Sequence, residues 1–468
     1  AHVDIPGYIA LVREGRFDDA VDLIRKDNPF PYSCAYVCEH PCERQCRRRL
    51  VDDAVNICGL KRYAVDHCTR TAPPPAAPAT GKRVAVVGGG PSGLTAAYYL
   101  SQMGHSVTVF EQREKLGGML RYGIPDYRLP PDVLDHDIDY ILAAGVEVKT
   151  GVCVGREVQV PDLQKDYDAV YVAIGAHADK KLGLEGEDSE NVLSAVELLR
   201  NCGEGNAPDF TGKRVVVIGG GNVSMDATRT AIRLGAESVT CVYRRRVDDM
   251  TALPEEIEDA LAEGCQILPL QAPHRIEADE NGRVAALWTR PQIIGGYGRD
   301  GRPGPRNAAE KEFRIPADYI IIAIGQRIES DQFEKGGIET SHGALKADLS
   351  GYVPGTPNVF AGGDAVTGPA TVIRAVAAGK VGAANIDAFL GFHHTIGTAV
   401  RIPPAKLSNT PPCGRIQPKS RNPLEARCDF QLATCGMTEE EAMQEASRCL
   451  RCDHFGYGIF KGGRTTQW

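Results

Sequence analysis

Short blocks of consecutive apolar residues, each followed by glycines and then by a mixed apolar and polar stretch, set the rhythm of the chain. Residues 84–87, 215–218 and 320–324 are such blocks. Unbroken runs of four or five apolar residues predict strands buried on both faces, as in parallel sheets covered by helices. Residues 94–102 and 225–234 follow as predicted helices, and 106–110 and 238–242 as the next strands. Further strands are expected within 167–175 and at 359–361, and helices at 132–144 and from Thr371 onward. Outside this rhythm, Ile9, Leu11 and Val12 form one apolar cluster and Phe17, Val21, Leu23 and Ile24 another, with Gly15 between them. That pattern predicts a small helical hairpin over residues 1–27, stopped by Asn28-Pro29-Phe30-Pro31. Near the other end, Thr438 and Glu441 have the spacing of a capping box, which opens a predicted helix running to Arg448. No apolar run approaches the ~18 residues of a membrane-spanning helix.

The glycines between strand and helix are specific. Gly88, Gly90 and Gly93 stand at G-x-G-x-x-G spacing around Pro91 and Ser92. The first makes the tight turn, the second lets backbone approach a pyrophosphate, and the third lets helix and strand pack closely. A second copy, Gly219, Gly221, Asn222, Val223 and Ser224, has serine in the third place, still small enough for close packing. The two differ at the end of the following strand. The first ends in Glu111-Gln112, an acid suited to free ribose hydroxyls. The second ends in Tyr243-Arg244-Arg245-Arg246, where arginines suit a 2′-phosphate. The first site therefore fits FAD and the second NADPH, with NADH as the alternative. Gly117-Gly118-Met119 allows backbone to lie against a flat or anionic ligand, and Arg128 is a candidate contact to phosphate or flavin. Gly175 and Gly325 close two Ala-Ile-Gly strand ends, and Gly363-Asp364 closes a late strand with an acid suited to a ribityl hydroxyl. Thr371, Val372 and Ile373 open a helix whose N-terminus can stabilise negative charge on a reduced flavin ring.

Charge and cysteine content add to this picture. With 61 acidic and 53 basic side chains among 468 residues, the net charge of −8 argues against a general nucleic-acid binder. The 15 cysteines crowd the two ends. Cys34, Cys38, Cys42 and Cys46 recur at every fourth position, and four thiolates so close need a cation among them. Their spacing favours an iron–sulfur cluster; a tetrahedral zinc site and unligated or disulfide-bonded cysteines are the rivals. Cys449-Leu450-Arg451-Cys452 reads as half a cluster site or as a redox dithiol. No secretion signal is visible, so the expected location is cytoplasmic.

The proline-rich stretch 73–81 marks a linker. The expected organisation is an all-α iron–sulfur domain (1–72), an FAD domain (82–205 and 327–395), an NAD(P)H domain (206–326) inserted into it, and a cysteine-containing extension (396–468). The fold class is α/β, with two Rossmann-like domains arranged as in the disulfide reductases.

Asn28-Pro29-Phe30-Pro31 and Val37-Cys38-Glu39-His40-Pro41-Cys42-Glu43-Arg44-Gln45-Cys46 resemble the glutamate synthase small subunit family. So do Gly117–Met119 with Ile124-Pro125 and Arg128-Leu129-Pro130, and Gly221-Asn222-Val223-Ser224-Met225-Asp226. The same stretches are similar to the N-terminal part of dihydropyrimidine dehydrogenase and to the large subunit of NADH-dependent ferredoxin:NADP oxidoreductase. The resemblance covers roughly residues 1–395. It implies [4Fe-4S] ligation by Cys38, Cys42 and Cys46, FAD at Gly88–Gly93, Glu111, Met119, Arg128 and Asp364, and NADP at Asn222–Met225, Arg244 and Arg245. It also implies hydride exchange between NAD(P)H and FAD, with electrons passing through clusters to another redox subunit or ferredoxin, a bifurcating complex included. Three departures stand out. The family's further cysteine run before the first helices is absent, Arg448–Cys452 resembles its start, and Lys61-Arg62 stands where some members place a Gln or Glu ligand, leaving Cys34 or Cys58 as substitutes. Against an electron-transfer subunit stand two other readings: a dithiol reductase using Cys449 and Cys452, and a docking subunit without turnover.

Overall fold

The computed structural model describes residues 1–298, 301–406 and 411–454. Four helices open the chain: α1 (Ile5–Arg13), α2 (Phe17–Arg25), α3 (Pro31–Tyr36) and α4 (Ile57–Asp66). Asp4 caps α1 by accepting from the Gly7 amide, and Asn56 caps α4 through Gly59. The hairpin apolar residues face one another and α4: Leu11, Val12, Val21, Ile24 and Leu60 are all fully buried. The pattern Asn28-Pro29-Phe30-Pro31 stops α2 and places Pro31 at the first turn of α3, where a missing N–H costs nothing.

Two parallel sheets follow. The first contains β1 (Arg83–Val87), β2 (Ser106–Glu111), β3 (Glu147–Thr150) and β4 (Ala169–Val172), with helices α5 (Pro91–Gln102) and α6 (Pro131–Leu142) alongside. The second contains β5 (Val192–Ser194), β6 (Arg214–Ile218), β7 (Ser238–Val242), β8 (Gln266–Leu268) and, after an antiparallel meander, β13 (Tyr319–Ile322). Helices α7 (Asn222–Arg233) and α8 (Pro254–Ala262) belong to this second unit. The meander is β9 (Gln271–Ala278), β10 (Val284–Tyr297), β11 (Pro303–Asn307) and β12 (Phe313–Pro316); both β11 and β12 pair with the long β10. The chain then returns: β14 (Val359–Ala361) pairs with β4, completing the order β14-β4-β1-β2-β3, and α9 (Val372–Phe389) packs on α5. The second sheet has order β5-β13-β6-β7-β8, so one nucleotide unit is inserted into the other. Every strand in both sheets runs parallel, and β1 and β6 are buried except for their first residue, the signature of sheets covered on both faces.

The last described helix, α10 (Glu439–Ser447), packs on α1 and α4 and contributes Ala442 and Ala446 to the core of the N-terminal helices. Its capping box is present: Thr438 accepts from the Glu441 amide, and the Glu441 carboxylate accepts from Thr438. The lock is Glu445. Fully buried, it accepts from the amides of Asn56 and Ile416, each at 2.7 Å, and pairs with buried Arg448. No helix among the described residues is long and apolar enough to cross a membrane.

Removing Glu445 leaves the Asn56 and Ile416 amides without their acceptor, while Arg448 keeps its bond to Asp52. Glu445→Ala is therefore expected to cost about 2–5 kcal/mol in the unit formed by the N-terminal helices and α10, about 1–3 kcal/mol for each unsatisfied buried donor. A urea titration read by tryptic release of α10 checks this; a variant as protease-resistant as the parent contradicts it.

Candidate functional site

The carboxyl ends of both sheets open onto one cavity of about 950 Å³. At its first end, Gly88 turns the chain from β1 toward α5 with φ +105°, and its amide donates to the Phe110 carbonyl at 2.8 Å. A Cβ on Gly93 would stand 1.9 Å from the Gly88 carbonyl oxygen, so only glycine permits this helix–strand approach. Gly90 caps α5 and Pro91 occupies its first turn, leaving the helix N-terminus directed at the cavity. Glu111 is buried at the end of β2. Its Oε2 accepts from the Gly89 amide at 2.7 Å and its Oε1 from the Arg113 amide at 2.9 Å. Burial raises its carboxyl above the usual range, offset in part by those amides.

Gln112, Gly118, Met119, Gly175, Asp364, Thr371, Val372 and Ile373 line the same cavity, as do Gly88, Gly90, Pro91 and Ser92. Thr371 is the N-cap of α9, so this helix also points its free amides inward. Burial pushes the Asp364 carboxyl up to about 6, against the Ala370 amide that donates to it at 3.2 Å. At the other end stand Gly219, Gly221, Asn222, Val223, Arg244, Arg245 and Gly325. Gly93, Ser224 and Gly363 do not line the cavity and act by packing. Ser224 Oγ donates to the Ala323 carbonyl and accepts from the Gly221 amide, and a Cβ on Gly363 would meet Ser92 at 2.8 Å.

Arg128, the candidate contact to phosphate or flavin, lines the cavity and also carries a second role. Its Nη1 makes two bonds to Asp226 on α7 (2.8 and 2.9 Å) and its Nη2 reaches Glu256 on α8 at 2.6 Å. Arg229 and Arg233 extend the network through Glu256 and Glu263, and the Tyr127 ring lies against both guanidinium groups. Burial and the neighbouring Glu256 push Asp226 up, to about 6, against the pull of Arg128.

The cysteine run is divided. Cys34, Cys38 and Cys42 gather with Cys58 around buried Lys61, whereas Cys46 lies with Cys449 and Cys452 from the far end of the chain. Burial works against the Lys61 charge, but the four sulfurs more than offset it. The Cys58 thiol lowers Cys38 to about 5, while burial pushes Cys34 up to about 12 and Cys42 to about 11. A tetrahedral zinc site brings sulfurs within about 3.8 Å of one another. Among the described residues, the group of three or more possible ligands that closes to within 4.8 Å is His105, Asp387 and His394, with no cysteine in it. Those three are already joined by hydrogen bonds to one Asp387 oxygen, at 2.9 and 2.7 Å. The wider cysteine spacing suits a polynuclear cluster, whose iron atoms stand between the sulfurs. Cys34 and Cys38 also line the dinucleotide cavity, together with Glu39, which accepts from the Asn222 side-chain amide at 3.2 Å. His177 and Arg302 belong to the cavity but carried no local signal in the sequence, and Glu39 stood in the cysteine motif without a role of its own.

Two dinucleotide-binding units facing one cavity, with a cysteine-rich helical unit at its wall, define an electron-transferring flavoprotein of the two-Rossmann-domain class. Residues 82–379, with a second match at 58–148, fit the family described as pyridine nucleotide-disulphide oxidoreductase, and residues 1–72 fit dihydropyrimidine dehydrogenase domain II, 4Fe-4S cluster. The chain is 36% identical to the NADP(+)-dependent formate dehydrogenase subunit beta of Moorella thermoacetica, over 99% of this chain and 71% of that one. It is 34% identical to the NADPH-Fe(3+) oxidoreductase subunit beta of Geobacter sulfurreducens (97% and 74%) and to the glutamate synthase [NADPH] small chain of Escherichia coli (82% and 86%). FprA of Mycobacterium tuberculosis, solved with NADPH, shares the fold at 21% identity and a TM-score of 0.56, over 66% of this chain and 84% of that one. The chain belongs to the pyridine nucleotide-disulphide oxidoreductase family, in its branch of NAD(P)H-linked flavin and iron–sulfur enzymes with an N-terminal 4Fe-4S domain.

Two outcomes follow from this geometry. Gly93→Ala should purify with little flavin, read as lost absorbance near 450 nm, because the added methyl cannot coexist with the Gly88 carbonyl. Burial and the cations of Arg113 and Arg200 hold His177 at about 4. Between its ordinary value of 6.5 and 4 the unfolded chain takes up a proton that the folded chain refuses. Stability conferred by neutral His177 is therefore complete above pH 6.5 and lost as pH falls through 4, with a slope of about 1.4 kcal/mol per pH unit from this one group. His177→Gln should flatten the acid limb of a stability–pH curve by that amount; an unchanged limb contradicts the assignment.

Proposed function

We propose that the chain is the nucleotide-oxidising subunit of a redox complex, exchanging electrons between NADPH and a partner subunit or ferredoxin. The observation that carries this reading is the single cavity that touches the Gly88 turn, the start of α7 and the Cys38 loop. When bound there, FAD accepts or returns hydride at the nicotinamide, and [4Fe-4S] clusters handle single electrons. Glu111 would hold the FAD ribose, the N-termini of α5 and α9 its pyrophosphate and pyrimidine ends, and Asp364 the ribityl chain. Asn222, Val223 and the amides opening α7 would hold the NADP pyrophosphate, and Arg244 and Arg245 its 2′-phosphate. Cys38 and Cys42, with Cys34 and Cys58, would ligate one cluster, and Cys46, Cys449 and Cys452 would supply three ligands to a second. Relatives named as beta subunits support assembly with other redox chains, and cysteines proposed as cluster ligands suit a reducing, cytoplasmic location. A third sulfur, that of Cys46, lies with Cys449 and Cys452, which favours a ligand set over a two-cysteine dithiol.

Anaerobic purification with flavin, iron and sulfide analysis, followed by titration with NADPH and NADH, tests the reading. Flavin should accompany iron and sulfide in equal amounts, at four of each per cluster. NADPH should bleach the flavin and raise a reduced-cluster EPR signal. A preparation reconstituted with iron that retains none overturns the cluster assignment, and bleaching by NADH alone reverses the nucleotide.

A further inference from the structure

We infer that Arg302, at the tip of the meander hairpin, is a third arginine on the 2′-phosphate of the bound nucleotide and helps set the preference for NADP over NAD. This rests on the proposed assignment of the second site to NADP.

Strand β7 ends beside the cavity, and Arg244 and Arg245 follow it directly. Arg246 does not take part: its guanidinium is held by Asp249 through two bonds of 2.9 Å, and it does not line the cavity. Arg302 comes from a different element, immediately before β11, yet it lines the same cavity. The hairpin is tied there by chemistry. Arg245 Nε donates to the Pro303 carbonyl at 3.0 Å, and the Arg245 carbonyl accepts from the Leu270 amide at the start of the meander. One arginine of the pair thus anchors the backbone that carries Arg302. A 2′-phosphate bears between one and two negative charges and three acceptor oxygens. A guanidinium on each side of it makes charge-assisted, fork-shaped bonds that a ribose hydroxyl cannot reciprocate.

The probe is adenosine 2′,5′-bisphosphate, compared with 5′-AMP, each titrated calorimetrically into the full chain with its cofactors in place. Arg302→Ala and Arg302→Gln should each weaken binding of the bisphosphate about tenfold or more, as loss of a hydrogen bond to a charged group does. The ratio of bisphosphate to AMP affinity should fall by the same factor. Arg302→Lys, which keeps the charge but not the fork, should fall between. In steady state the loss should appear in KM for NADPH rather than in kcat. Circular dichroism of the Gln variant separates binding from folding. If Arg244→Ala weakens the bisphosphate and the Arg302 variants do not, the inference about Arg302 is overturned and the NADP site stands. If the parent chain binds AMP as tightly as the bisphosphate and neither arginine matters, the NADP assignment itself falls.

Discussion

Two sheets that share one cavity must be held at a fixed separation, and a buried lattice of guanidinium and carboxylate groups does this. Arg128 leaves the first nucleotide unit and is clamped by Asp226 and Glu256 of the second. Arg229 and Arg233 continue through Glu263, and Arg233 and Arg427 reach carbonyls on either side, tying in the C-terminal extension. Such a network contributes little net stability, because each charge has been taken out of water. What it supplies is register. Directional, two-pronged bonds admit one relative placement of the units, whereas an apolar contact of equal area tolerates sliding. The glycine turns then face each other across a gap set by these bonds.

The iron–sulfur side follows a different electrostatic logic. Sulfurs drawn together in a low-dielectric interior need compensating charge, and Lys61 provides it among Cys34, Cys38, Cys42 and Cys58. Arg47 stands near Cys452 and does the same more weakly at the second group. Lys61 stands among these sulfurs as a counter-ion, and Cys58 stands one helical turn before it on α4.

Much of this was legible in the sequence because its causes are local. A glycine that must turn a strand into a helix, an acid at one strand end and arginines at another are read from neighbours in the chain. The inserted arrangement of the units was legible through resemblance, since two glycine patterns followed by a late Gly-Gly-Asp resemble the disulfide reductases. The roles that escaped are those decided between elements. Nothing near Arg128 announces its bond to Asp226, which comes in addition to its place on the cavity wall. The regular spacing of Cys34 through Cys46 implies one site, yet Cys46 turns toward Cys449 because the chain follows a 3-10 turn over Glu43–Gln45 and then extends. Arg302 has no motif at all; it becomes relevant only once the hairpin is tied to Arg245.

The union of the two chain ends in one small core also has a timing. Asn56 and Glu445 are 389 residues apart, so the first helices wait for α10 while the residues between are made. At about 5–20 residues per second, that wait is on the order of 20–80 s. Throughout it, Cys34 to Cys58 lack the wall that α10 and the Cys449 segment provide, and Cys46 lacks its companions. A site built from Cys46, Cys449 and Cys452 would therefore be complete only after the segment carrying Cys449 and Cys452 has been made.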